Sequence, residues 1–452
     1  MNRTIRRILF AGFVFFFLLS AAVLLIYASG YRYHFGKYHI EKTGQLLVET
    51  RPKGARILMN GVEVQRQWSD ERMTSPATVP YLFSGTYRLT VSRQGFHDWS
   101  GDITIYPGRT TIKNDILLVK NSAPVLLKSG KHIRAAQKRG DSIMVDDGGA
   151  VRVLNMRIEQ ISTLYTSRIP ADELEAAPSG TRFVANYGGE WRVVEYGAIS
   201  LTVKDTKKNP LAFRWAPSED VLYMRDDKGI AVFDKEKKKI VPLVAVPRAI
   251  DFLVDDELVV LRGGTRQGIV FFDRRTGAQI RELSSIPPAT RIWGSAKGVL
   301  ILQGADNSLY LFDRKGDRPV FQHVADAQGI AFLGDTHFYT YNDFEVWSHD
   351  FSKDRYARSL VTRQSKRLSA MLPLADIPFV ITVSGGTDIR MRDIRPKDTS
   401  SAEIVLASFT SIEAVFLNAK ETALIVFGAR DGQEGIFSLP IIEREELFPL
   451  VK

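Results

Sequence analysis

Val221-Leu222-Tyr223-Met224 followed by Ile230-Ala231-Val232-Phe233-Asp234 is one apolar run, a polar turn bearing Gly229, and a second apolar run closed by an aspartate. The figure returns at Leu258-Val259-Val260-Leu261 with Ile269-Val270-Phe271-Phe272-Asp273. It returns again at Val299-Leu300-Ile301-Leu302 with Leu309-Tyr310-Leu311-Phe312-Asp313, so the closing aspartates lie 39 and then 40 residues apart. Short apolar runs bounded by turn residues read as strands buried on both faces. A further strand follows in each unit, such as Gln279-Ile280-Arg281-Glu282-Leu283. A period near 40 residues built from such strands is the signature of a β-propeller, in which each repeat is a sheet that cannot bury its faces alone.

Weaker copies flank these three. Ser142–Val145 with Val151–Leu154 and Arg182–Ala185 with Trp191–Val194 precede them. His337–Thr340 with Glu345–Trp347, Phe379–Thr382 with Asp388–Met391, and Ala423–Val426 with Gly435–Phe437 follow. The count predicts eight blades over residues 131–452, or seven if the first or last copy is a fragment that closes the ring. Ala177-Pro178-Ser179-Gly180-Thr181-Arg182 and Trp215-Ala216-Pro217-Ser218-Glu219-Asp220 resemble the Trp-Ser-Pro-Asp-Gly turn of TolB-like and WD-type propellers. Ser179 and Ser218 stand where those families carry Asp, and no Trp-Asp dipeptide occurs. The resemblance implies a fold that mainly binds partners.

Residues 44–118 alternate with period two and predict a small β-sandwich, followed by a linker at 119–130. Gln45–Glu49, Arg56–Met59, Tyr87–Val91 and Asp102–Ile105 are its strands, and Asn60-Gly61 is a hairpin turn. Pro52-Lys53-Gly54-Ala55, Asn60-Gly61, Ser84-Gly85-Thr86-Tyr87 and Gly95-Phe96-His97-Asp98-Trp99 resemble, in order, the pattern of the PEGA domain. Lys53 replaces that family's acidic residue, Ser84 replaces a common Pro, and Gln65 to Met73 is an insertion carrying Trp68, a candidate exposed contact. The resemblance implies an envelope-associated spacer or adhesion module and not an enzyme.

Upstream, Ile8 to Ile26 is an uncharged run of nineteen residues preceded by Arg3, Arg6 and Arg7. At about 1.5 Å per helical residue it matches a hydrocarbon core of about 30 Å, and it exceeds the apolar core of an ordinary signal peptide. Residues 1–30 are therefore read as a cytoplasmic tail and membrane-spanning helix, and 31–43 as a juxtamembrane linker. Tyr27, Tyr31 and Tyr33 fall where an interfacial aromatic belt sits. A signal peptide cleaved near Ala28-Ser29-Gly30 is the other reading, and either one exports the rest of the chain.

The chain has 452 residues, no cysteine and a formal charge of +10. Disulfides, thiolate metal sites and Cys nucleophiles are excluded. Lys and Arg are interspersed with nearly as many acids, so no nucleic-acid partner is expected. No Gly-x-Ser-x-Gly elbow, His-Glu-x-x-His motif, phosphate loop or dinucleotide fingerprint is present, and neither catalytic residues, cofactor nor metal is assigned. His34 and His39 lie in the juxtamembrane segment and read as interfacial.

One pattern is left for function. The turns between second and third strands of the blades carry Asp146, Asp147, Glu190, Asp226, Asp227, Asp306, Asp343, Asp388 and Asp431. They form either a discontinuous acidic ring around a binding mouth or a set of residues chosen because Asp favours turns. Trp191, Trp215, Trp293 and Trp347 are expected to fill gaps between blades. The sequence thus predicts an all-β, single-pass membrane protein whose propeller presents a face to a protein or glycan partner in the cell envelope. A propeller-channel enzyme acting on envelope glycans is the alternative.

Overall fold

The computed structural model describes residues 3–36, 38–66, 69–130, 133–139, 142–156, 160–204, 211–217, 221–265, 267–284, 286–296, 298–313, 322–324, 326–333, 337–350, 357–375, 377–394 and 403–443. Trp68 and the Ser218 turn lie outside them. The chain divides into two units: residues 1–122 with 395–404 and 441–452, and residues 123–394 with 405–440.

The first unit opens with the helix Arg3–Ala28. Its stretch Ile5–Ala28 has a mean hydropathy of 2.8 and no side chain buried by the rest of the protein, so it is long and apolar enough to cross a membrane. The segment expected as a linker is a two-stranded hairpin instead, with Tyr31–His34 paired antiparallel to His39–Lys42. Its strands are four residues each, and their mixture of aromatic and charged residues hides any alternation.

The sandwich follows. Gly44–Arg51 is the middle strand of a three-stranded sheet, antiparallel to Ala77–Leu82 and parallel to Thr110–Leu117. Val62–Glu63, Arg56–Met59, Gly85–Ser92 and Trp99–Ile105 make the facing sheet in that order. Strict alternation of buried and exposed positions along Gly44–Arg51 aims Leu46 and Val48 inward, where they meet Ile57, Leu89, Val91 and Ile103. At the hairpin turn Asn60 and Gly61 take φ of 50° and 80°, and the Asn60 side chain accepts the Arg88 N–H at 2.8 Å. Only residues at ease in the left-handed region turn a hairpin this tightly.

The second unit is a ring of four-stranded antiparallel sheets, eight among the described residues. They span 133–166, 173–204, 212–245, 249–284, 291–324, 329–363, 368–408 and 411–440. Strands follow chain order in the first seven sheets and through the three strands of 411–440 in the last, and first strands of most successive sheets are neighbours, which places them innermost. The arrangement is a β-propeller.

The last sheet takes its outermost strand from Val125–Ser129, which pairs with Gln433–Pro440. That segment was expected to lie in a linker. Its partner is some 300 positions downstream, so no local periodicity reveals it. Ring closure is also seen in the core, where Ile143, Val145 and Leu154 of the first blade pack on Ile425, Phe427 and Ile436 of the last. Lys138 of the first blade donates to Leu417 O of the last at 2.9 Å. Phe183, Phe252, Phe271, Phe312, Phe338 and Phe427 are fully buried and fill the wedges between sheets.

Candidate functional site

Because the three inner strands follow one order in every sheet, the turns joining second to third strands all lie at one end of the ring. The links that carry the chain from one blade to the next return at that end, and backbone hydrogen bonds tie link to turn. Ser167 N–H donates to Gly149 O at 2.6 Å, Ala327 N–H to Asn307 O at 3.0 Å, Leu368 N–H to Asp343 O at 2.7 Å, and Phe409 N–H to Thr387 O at 2.8 Å.

The nine turn acids sit on this end, and the structure shows what most of them do there. Asp146 is fully buried; one oxygen accepts the Gly149 N–H at 2.7 Å and the other the Ala171 N–H at 2.9 Å, so it locks its own turn and the link to the second blade. Asp226 accepts the N–H groups of Lys228 and Gly229, and Asp306 accepts both the backbone N–H and the hydroxyl of Ser308. Asp147 is bound to Arg152 at 2.6 Å, Glu190 to Arg192 at 2.8 Å, and Asp431 to Arg430 at 3.2 Å.

Asp343 accepts from Gln328 at 2.5 Å and from Arg367 at 2.6 Å, spanning the links on either side of its blade; these two donors hold its carboxyl below the usual range. Asp388 is held down likewise by Lys366, then Ser408 and Arg390. Asp227 is exposed. Six cations thus neutralise five of the nine acids, and three more acids cap backbone groups. A carboxylate already bonded to an arginine or to two amides attracts a distant cation weakly.

Polar side chains also seal the seams. Asp251, 7% exposed, accepts the Phe252 N–H at 2.9 Å and the Ile292 N–H of the next blade at 2.8 Å. Gln137 donates to Glu175 at 3.0 Å, and the Trp215 indole donates to Glu175 O at 3.0 Å. Trp191 and Trp215 are buried, whereas Trp293 and Trp347 are half-buried under the guanidinium groups of Arg291 and Arg358. Among the described residues no three His, Asp or Glu side chains converge as metal ligands would.

Sequence reasoning missed the residues that remain available. Between the sixth and seventh blades, at the end that carries the turns, an open cleft of about 460 Å³ is lined by Gln328, Tyr341, Arg367, Leu368, Ser369 and the Gly385-Gly386 turn. Gly385 and Gly386 have φ of 63° and 69°, a conformation that leaves a side-chain-free rim. The Tyr341 ring lies over Gly329, where an added Cβ would strike it, and its hydroxyl donates to Ser369 O at 3.4 Å. Phe344, 47% exposed, is on the same turn as Asp343, which holds Arg367. The one sequence signal was the consecutive glycine pair, which marks an unusual turn without saying what lies beside it.

No curated protein matches the chain. The C-terminal WD40 domain of Sif2 superposes with a TM-score of 0.49 at 13% identity, covering 71% of this chain and 98% of that one. The Dos1 propeller does so with a TM-score of 0.49 at 11% identity, covering 71% and 95%. The sandwich, from its middle strand through its last, falls within residues 43–121, and that segment matches the family of the PEGA domain.

Proposed function

We propose that this protein is a membrane-anchored platform: the N-terminal helix spans the bilayer, and the propeller binds a protein or glycan outside the cytoplasm without catalysing a reaction on it. The observation that carries the reading is the cleft beside Tyr341 and Arg367. It offers an aromatic ring, an exposed guanidinium, backbone rims and a neighbouring exposed Phe344, the mixture that recognises extended polymers. The acids nearest to it serve as supports, since Asp343 positions Arg367 and Asp388 positions Lys366. Its location is what the apolar helix supports, with the chain exported beyond Ala28.

The test is photo-crosslinking from a probe at position 344 in the full-length, membrane-embedded protein. Tyr341→Ala and Arg367→Ala should each weaken capture, while Ile280→Ala on an outer strand should not. Equal capture by all three would dispose of the cleft as the binding site.

A further inference from the structure

The end of the apolar helix meets the sandwich in a second cleft, of about 430 Å³. Thr43 fixes the junction: its N–H and hydroxyl both donate to Gly30 O, at 2.9 and 2.7 Å. From the other side Gly108 N–H donates to Thr43 O at 2.9 Å, and Gln45 N–H donates to Arg109 O at 3.1 Å. Ser29, Lys42, Gln45, Tyr81 and Arg109 line the space between.

The electrostatics there are one-sided. Lys42 and Arg109 are exposed and form no ion pair among the described residues. Arg32 stacks its guanidinium over Tyr27 at 3.4 Å and Tyr81 at 4.1 Å and donates to two backbone carbonyls, again without a carboxylate. Glu41, the residue before Lys42, is engaged by His39 and Ser84. Gly108, at φ 64°, makes room for the Lys42 side chain to lie across the turn before Arg109.

Exposed aromatics gather around the same junction. Among the described residues, six of the nine exposed Tyr and Phe side chains beyond the helix (Tyr31, Tyr33, Phe35, Tyr38, Tyr81 and Tyr106) are in the hairpin or at the adjacent end of the sandwich. A folded surface in water rarely concentrates aromatics so, whereas the headgroup layer of a bilayer favours them. The cleft begins at Ala28, where the apolar helix stops, which sets it at headgroup depth.

We infer that this cleft binds the phosphate of an anionic phospholipid headgroup, with Lys42 and Arg109 supplying the charge and the side-chain amide of Gln45, one of whose two N–H groups is held by Thr110, a neutral donor. The inference rests on the membrane-spanning reading of the helix. It adds that the sandwich base sits against the bilayer and selects its lipid.

The experiment uses the full-length protein purified in a neutral detergent, with bound lipid counted by native mass spectrometry during titration with phosphatidylglycerol or phosphatidylcholine. Each basic side chain at an anionic surface contributes about fivefold. The wild type should therefore prefer phosphatidylglycerol by roughly 25-fold, and Lys42→Gln with Arg109→Gln should bind both lipids alike. No preference in the wild type, or an undiminished preference in the double variant, overturns the assignment. Displacement of the lipid by excess inorganic phosphate would instead make this a free-phosphate site and overturn the lipid source. The wild-type comparison stands by itself if the double variant does not fold. Alkaline washing of membranes separates the two readings: release of the protein would defeat the anchor, whereas retention without lipid preference would defeat only this cleft.

Discussion

Replacing Asp146 by Ala should unfold the propeller several degrees earlier, because this carboxylate bonds two buried N–H groups that belong to different parts of the chain. The Gly149 N–H is in its own turn and the Ala171 N–H is in the link to the second blade. Alanine leaves both donors without a partner in a site where Asp146 itself has no exposure. A hydrogen bond to a charged group contributes about 1.5–3 kcal/mol. Loss of two, offset in part by no longer burying the carboxylate, gives about 3 kcal/mol. For a unit of 308 residues, an unfolding entropy of about 2.1 cal/mol/K per residue converts this into a Tm lower by about 4–5 °C. Tryptophan fluorescence is the assay, since Trp191, Trp215, Trp293 and Trp347 all lie in the propeller. Asp227→Ala is the control: exposed on the corresponding turn of the third blade, it should shift Tm by less than about 1 °C. Equal shifts for the two variants, or none for Asp146→Ala, would refute the seam argument.

His349 is buried, stacked 4.4 Å from Phe338 and bonded to Thr340 at 2.9 Å; burial first, then Arg358, lowers its pKa to about 3. The unfolded chain takes up a proton below about pH 6.5 that the folded chain refuses, so stability is present above that pH and is lost as pH falls towards 3. Denaturant midpoints at pH 7 and 5 should show the wild type losing about 2 kcal/mol more than His349→Gln. Ile57→Ala removes a fully buried side chain from the sandwich core and should cost about 2–5 kcal/mol, read as faster amide exchange in Gly44–Arg51 and Gly85–Ser92. Gly329→Ala places a methyl group against the Tyr341 ring; it should reduce capture by the cleft at a stability cost of about 1–3 kcal/mol.

The propeller was legible because its middle strands are buried on both faces: Leu258, Val259, Val260 and Leu261 all have no exposure, so the run is continuously apolar. The sandwich was legible for the opposite reason, since Gly44–Arg51 buries alternate residues. What escaped was whatever depends on distant partners. Val125–Ser129 earns its place only by pairing with Gln433–Pro440, some 300 positions away. The cleft escaped for the same reason. Tyr341, Arg367 and Gly385 are 26 and 18 positions apart and meet only because three consecutive elements return to one end of the ring.

Acidic turn residues illustrate how composition misleads about function. Asp146 and Asp251 have the same task at two seams, each accepting an N–H near itself and one from the neighbouring blade or link. A turn needs an acceptor close to its own backbone, and a seam needs one that reaches the next sheet; a carboxylate, with two oxygens, meets both demands at once. The repeated aspartates therefore follow from the repeated geometry of the ring. In the proposed platform, recognition falls to side chains that the seams do not consume, and beside the sixth and seventh blades those are the exposed Phe344, the Tyr341 ring and the Arg367 guanidinium, whose pairing with Asp343 fixes its direction without covering it, since it stays 70% exposed.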